Sequence, residues 1–206
     1  MTSMRHLTEL LEDSKIINQD RQRQYYGMLS RETKRLQRLV EGLLNFGRME
    51  AGVMKYEPEK VDPGELVGEV VSEFLEEHAQ DGHHVSLDTN SNVPFISVDS
   101  AALRSAVWNL LDNAAKYSPA DSAIDVKVAG ESGRVAIQVR DYGAGIPATE
   151  QKKIFERFFR GTSSVSSRVK GTGIGLALVQ HMVAAHDGEV RLESAPGHGS
   201  TFTILL

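Results

Sequence analysis

The chain has 206 residues, 40% hydrophobic and 25% charged, which is the composition of a globular protein with one good core and an appendage. A formal net charge of -5, with Lys and Arg spread along the chain, argues against a nucleic-acid surface but leaves room for a phosphate-bearing small ligand. The absence of cysteine excludes disulfides, thiol nucleophiles and Cys-ligated metal centres.

Taken in chain order, Met4, Leu7, Leu10 and Leu11 have helical spacing over 2–12. The polar stretch EDSKIINQD reads as a turn. A longer helix follows, in which Leu29, Leu36, Leu39, Val40, Leu43, Leu44 and Phe46 form a stripe repeating about every 3.5 residues, with Gly52 as its end. Two helices joined by a short loop make a hairpin whose apolar stripe is too large to leave wet. Self-association into a dimeric four-helix bundle is therefore expected, with packing on the downstream domain as the alternative. EPEKVDPGE, 57–65, carries two prolines and marks a boundary, dividing the chain into domains 1–55 and 56–206.

Beyond it the pattern predicts a helix over 65–80, strands near 85–87 and 95–98, and a helix over 100–117. Strands near 124–128 and 135–140 come next, then a short helix around 149–154, a helix over 175–186, and strands near 189–193 and 201–205. The alternation in VAIQVR and STFTILL suits strands covered on one face. The expected class is α+β: a helical hairpin, then an α/β sandwich of helices on a mixed sheet. No apolar run approaches the ~20 residues needed to cross a bilayer, and no basic start leads into an apolar signal core. The chain is expected to make no direct membrane contact and to be cytoplasmic, even if a parent protein is membrane-anchored.

Chemistry concentrates in three stretches. In WNLLDNAAKYSP, Asn109, Asn113, Lys116 and Tyr117 fall within a wedge of roughly 100° beside the apolar stripe of Leu103, Val107, Leu110 and Ala114. Two Asn one turn apart near a core need partners, supplied either by internal hydrogen bonds or by a ligand. DYGAGIP, 141–147, leaves a strand through glycines that allow close backbone approach, and it opens with a carboxylate. GTGIGLAL, 171–178, runs into a helix, where backbone N–H groups and the helix dipole favour an anion. It is not a dinucleotide fingerprint, because no strand directly precedes it and no ribose-binding acid follows.

In this order, NLLDNAAKY, DYGAGIP, FERFFR (155–160) and GTGIGLA resemble the N box, first glycine box, F box and second glycine box of sensor histidine kinases. These belong to the wider ATPase family that includes gyrase and the Hsp90 chaperones. APGHGSTFTILL is similar to the family's last two strands, and RLVEGLLNFGRMEAG to the end of its dimerisation hairpin. The resemblance covers essentially the whole chain and implies a Bergerat-type ATP-binding fold, with ATP and Mg²⁺ as cofactors.

It also implies roles. Asp141 would accept a hydrogen bond from the adenine 6-amino group and so select ATP over GTP. Tyr117 would flank the base, and Thr201 would sit at the pocket's polar edge. Asn113 would give an amide oxygen to Mg²⁺ with Asn109 nearby, while Lys116 and Arg160 would meet the phosphates. Gly143, Gly145 and Ile146 of the first glycine box, and Gly171, Thr172, Gly173, Gly175 and Leu176 of the second, would complete the pocket. The Ser-rich 161–170 stretch would be a mobile lid or a simple solvated loop, and Arg157 a further site residue or a surface charge. Hydrolysing relatives carry a glutamate at the position of Asn109, which cannot accept a proton, so ATP would be held for transfer.

The family's acceptor histidine lies in a motif like H-E-L-R-T-P-L, and TSMRHLTELL resembles the segment after that motif. His6 has no acidic neighbour and no proline, and is read as a bystander on the bundle surface. The chain is therefore expected to bind Mg-ATP without phosphorylating itself and to lack the phosphatase chemistry, as a kinase truncated past its acceptor or a natural protein degenerate there would. His83 and His84 would point to opposite faces of a strand, which makes a metal site there unlike the usual clusters. The implied partners are a second copy through the hairpin and a response regulator. Two rivals are a serine kinase of the anti-sigma type, against which the long hairpin argues, and a non-catalytic nucleotide-gated scaffold.

Overall fold

A computed structural model of the chain describes residues 19–79, 82–90, 93–131, 133–161 and 171–206. The helix expected over 2–12, His6 with it, and 162–170 of the Ser-rich stretch lie outside these residues. The chain divides into two compact units, Met1–Gly47 and Arg48–Leu206, where the sequence placed a boundary between 55 and 56.

In the first unit, helix α1 (Gln19–Glu50, its last turn in the second unit) takes in Gln19 and Asp20, the end of the stretch read as a turn. Leu39, Val40, Leu43 and Leu44 stand 47 to 60% exposed along it. The helix closes in a Schellman motif: Gly52 sits at φ +65°, its N–H reaching the Met49 carbonyl and the Val53 N–H that of Arg48, at 3.1 and 3.0 Å.

The second unit opens with strand β1 (Glu59–Val61), inside the stretch read as a linker. Three residues are too few to show alternation. The strand exists because it pairs antiparallel with β3 (Ile96–Val98), with Val61 opposite Ile96. Helix α2 (Pro63–Glu77) starts where Asp62 accepts the Gly64 and Glu65 N–H groups at 2.9 and 3.1 Å, with Pro63 in its first turn. After β2 (His84–Thr89) and β3 comes helix α3 (Ser100–Tyr117), capped by Asp99, which accepts the Ala102 N–H at 2.9 Å. It ends before Ser118-Pro119, since the residue preceding a proline avoids helical geometry.

Strands β4 (Ala123–Glu131) and β5 (Arg134–Asp141) form a hairpin. A 3₁₀ turn (Lys153–Phe155), helix α4 (Gly175–Ala185), β6 (Glu189–Ser194) and β7 (Ser200–Leu205) complete the unit. The five-stranded sheet has the order β2-β4-β5-β7-β6. Only β2 and β4 are parallel, joined by the crossover through α3. The mixed sheet of the sequence reading is thus observed. Phe74 of α2, Leu110 of α3, Val183 of α4, Ile137 of β5 and Ile204 of β7 are almost wholly buried in one core between helices and sheet. Each such side chain contributes about 1.5–3 kcal/mol of burial. This core fixes which face of β5 and β7 points at the helices.

Candidate functional site

Asp141 is the last residue of β5 and follows the alternation of Ile137 and Val139, so its side chain lies on the helix-covered face. Only 6% of it is exposed. Burial pushes its carboxyl above the usual carboxylate range, against the pull of hydrogen bonds from the Gly143 N–H, at 2.8 Å, and from the backbone and side chain of Ser200. A nearly dry carboxyl group held by three donors is a directional acceptor on the helix-covered face.

The glycines bring the sequence boxes together by removing side chains at points of contact. A Cβ on Gly143 would collide with the Tyr117 carbonyl, so the first glycine turn lies directly against the end of α3. A Cβ on Gly175 would stand 2.6 Å from Asn109 Oδ1, which presses the start of α4 onto the middle of α3. The Asn109 amide is oriented there because its Nδ2 donates to the Ser105 carbonyl at 2.8 Å. Gly173 lies against the Phe158 backbone, whose N–H bonds to the Gly173 carbonyl at 2.9 Å, interlocking F box and second glycine box. Gly145 abuts the Ala195 carbonyl and Ile146 packs on the core. Gly171 and Thr172 are exposed, and Leu176 is half-buried against the core.

Unlike α2 and α3, helix α4 has no side-chain cap: its N-cap position is Ile174. The N–H groups of its first turn face the second glycine box without a carboxylate of their own. Asn113, Lys116 and Tyr117 are half-buried along α3. Lys116 forms an ion pair with Asp112 one turn earlier, a partner the sequence reading did not name. Arg160 is exposed at the end of the F box. Arg157, whose role the sequence left open, holds the Glu50 carboxylate at 2.7 and 2.8 Å.

Thr201 is not where the sequence reading put it. It pairs with Arg140, whereas Asp141 pairs with Ser200, so Thr201 faces away from the Asp141 carboxylate and Ser200 stands beside it. The signal was in STFTILL itself. Phe202 and Ile204 are core residues, and strand alternation puts Ser200 on their face and Thr201 with Thr203 on the other. Ser194 and Gln151 were also missed. The Ser194 hydroxyl accepts the Ile146 N–H at 2.8 Å, and Gln151 Nε2 donates to the Ile146 and Ser194 carbonyls at 3.1 and 2.9 Å.

The residues that carry this arrangement, a buried acceptor carboxylate beside an amide-lined helix and an uncapped helix start behind a glycine turn, lie within the span of a known family. The family model described as "Histidine kinase-, DNA gyrase B-, and HSP90-like ATPase" matches residues 98–206, and the "His Kinase A (phospho-acceptor) domain" model matches 1–52. The chain belongs to the sensor histidine kinases. It is 34% identical over 186 residues to the sensor-like histidine kinase SenX3 of Mycolicibacterium smegmatis, an alignment covering 90% of this chain and 48% of that protein. The chain thus spans about half the length of the curated relatives it matches first. The solved mycobacterial sensor histidine kinase MprB is 30% identical, with a TM-score of 0.62 over 73% of this chain and 97% of its own. ShkA, solved full-length in complex with AMPPNP, is 28% identical, with a TM-score of 0.71 over 95% of this chain and 40% of its own. No described helix of this histidine kinase chain is long and apolar enough to cross a membrane.

Proposed function

We propose that this chain is the Mg-ATP-binding core of a two-component kinase, which holds ATP for transfer of its γ-phosphoryl group to a histidine and onward to a response-regulator aspartate. The observation that carries the reading is Asp141, a buried and triply hydrogen-bonded acceptor opposite the end of α3. Such a group recognises the adenine 6-amino donor and repels the carbonyl that guanine presents at the same place. Tyr117 flanks the base, and the glycine turns of 143–146 and 171–175 bring backbone N–H groups to the triphosphate. Lys116, oriented by Asp112, and Arg160 supply positive charge to the phosphates.

Among the described residues no group of three His, Asp or Glu could hold a metal ion. The half-buried Asn113 amide, with Asn109 one turn before it on α3, would offer a hard oxygen to a Mg²⁺ shared with phosphate oxygens. When bound, the ion would neutralise charge on the transferred group. Asn109 cannot take a proton from water at neutral pH, which favours transfer over hydrolysis. The likeness to ShkA, solved with AMPPNP, supports nucleotide binding by this chain.

None of the seven histidines stands in a motif like H-E-L-R-T-P-L, so the chain is expected not to phosphorylate itself. The test is incubation with γ-labelled Mg-ATP, alone and with that motif placed before Thr2, scoring acid-labile label. Label only on the extended chain is the expected result. Label on the chain as it stands would make His6 or another residue an acceptor. Nucleotide binding with label on neither would turn the reading toward a nucleotide-gated scaffold.

A further inference from the structure

We propose that Ser194 is a positioning residue for adenine recognition, acting on the Asp141 carboxylate through the Ser200 hydroxyl. The inference rests on the reading of Asp141 given above. Ser194 is the last residue of β6, directly opposite Ser200 on β7, and Ser200 is directly opposite Asp141 on β5. The three form one row across three strands, on the face covered by the helices. Ser194 Oγ lies 3.0 Å from Ser200 Oγ, and Ser200 bonds the carboxylate through both its hydroxyl and its backbone N–H.

A serine hydroxyl has one hydrogen to donate and two lone pairs to accept with, which limits how this row can bond. The Ser200 hydrogen is committed to Asp141, which as a carboxylate only accepts. Ser194 Oγ accepts the Ile146 N–H at 2.8 Å, so its own hydrogen is directed at Ser200 Oγ and at the Gly199 carbonyl, 2.8 Å away. Ser194 Oγ thus ties the Ile146 N–H, the Gly199 carbonyl and Ser200 Oγ together next to the carboxylate, its one hydrogen shared between the Gly199 carbonyl and Ser200 Oγ. Asp141 and Ile146 are two points on the same glycine turn. Ser194 holds one directly and the other through Ser200, while Gln151 fixes its own carbonyl. Removing the Ser194 hydroxyl leaves the Ile146 N–H unmatched and frees the Ser200 hydroxyl to turn away from Asp141.

The experiment compares affinities of the full chain for Mg-ATP and for inosine triphosphate, which carries a carbonyl where adenine carries its amino group. Calorimetric titration is run on Ser194→Ala, Ser194→Thr and Asp141→Asn. Ser194→Ala is expected to weaken ATP about tenfold, the scale of one hydrogen bond, and to leave inosine triphosphate unchanged. Ser194→Thr, which keeps the hydroxyl, restores the ATP preference, and Asp141→Asn abolishes it. Equal loss of both nucleotides in Ser194→Ala, or no loss of either, would overturn the proposal while Asp141→Asn still reports on the carboxylate. An ATP preference that survives Asp141→Asn would overturn the reading of Asp141 and the role of Ser194 with it.

Discussion

At the Asp141 carboxyl, burial and hydrogen bonding oppose each other, and burial wins. Its folded pKa lies above the unfolded value of about 3.9. The folded state therefore binds this proton more tightly than the unfolded chain does. The resulting stabilisation of the nucleotide-free fold is present at low pH and is lost as the pH rises through the raised value. Recognition of adenine runs the other way, because the charged carboxylate is the better acceptor. The preference for ATP over inosine triphosphate is expected to fall as the pH drops through the acid range just above the ordinary carboxylate value. Asp141→Asn is expected to flatten that dependence. Taking the ratio of the two affinities cancels the titration of the triphosphates they share, so titrations at a series of pH values check it.

Among the connecting turns, the glycines do unequal work that their composition does not reveal. Gly199 lies at φ +74°, and a Cβ there would collide with the Asp141 carbonyl and stand 2.9 Å from the Tyr142 Cα. Both obstacles are backbone, so neither can swing aside. Gly171 has nothing within 4 Å of the corresponding position. Gly199→Ala is expected to destabilise the fold by more than about 2 kcal/mol, whereas Gly171→Ala should change stability by less than about 0.5 kcal/mol. Denaturant unfolding of the two variants measures the contrast. A similar loss in both would mean that the turns tolerate or reject a side chain for reasons other than these contacts.

For the molecule as a whole, the exposed row on α1 is expected to govern assembly. Leu39, Val40, Leu43 and Leu44 leave more apolar surface in water than a lone helix carries comfortably, and a second copy would cover it. Sedimentation at micromolar concentration is expected to show a dimer. Replacing Leu43 and Leu44 by Glu should leave a monomer whose ATP affinity stays within about threefold of the parent, because the substituted positions lie outside the unit that carries the ATPase-family match. A monomeric parent chain would assign the row to some other partner.

The sequence by itself determined the periodicities that place the helices and strands, and the order of the four boxes. Helix α3 begins and ends where it was predicted, because its stripe is long, an aspartate precedes it and a Ser-Pro pair follows. Local chemistry of this kind is written within a few residues. The parity that puts Ser200 rather than Thr201 beside Asp141 was also legible, in the alternation of Phe202 and Ile204. What the tertiary structure alone decided was adjacency across the chain. The pairing of β1 with β3, the seat of Gly175 on Asn109, and the pairing of Ser200 with Asp141 join residues far apart in sequence. The β1–β3 pair is a separate two-stranded sheet, the Ser200–Asp141 contact needs the order β2-β4-β5-β7-β6, the Gly175–Asn109 contact needs two helices packed together, and no local pattern encodes which element lies beside which.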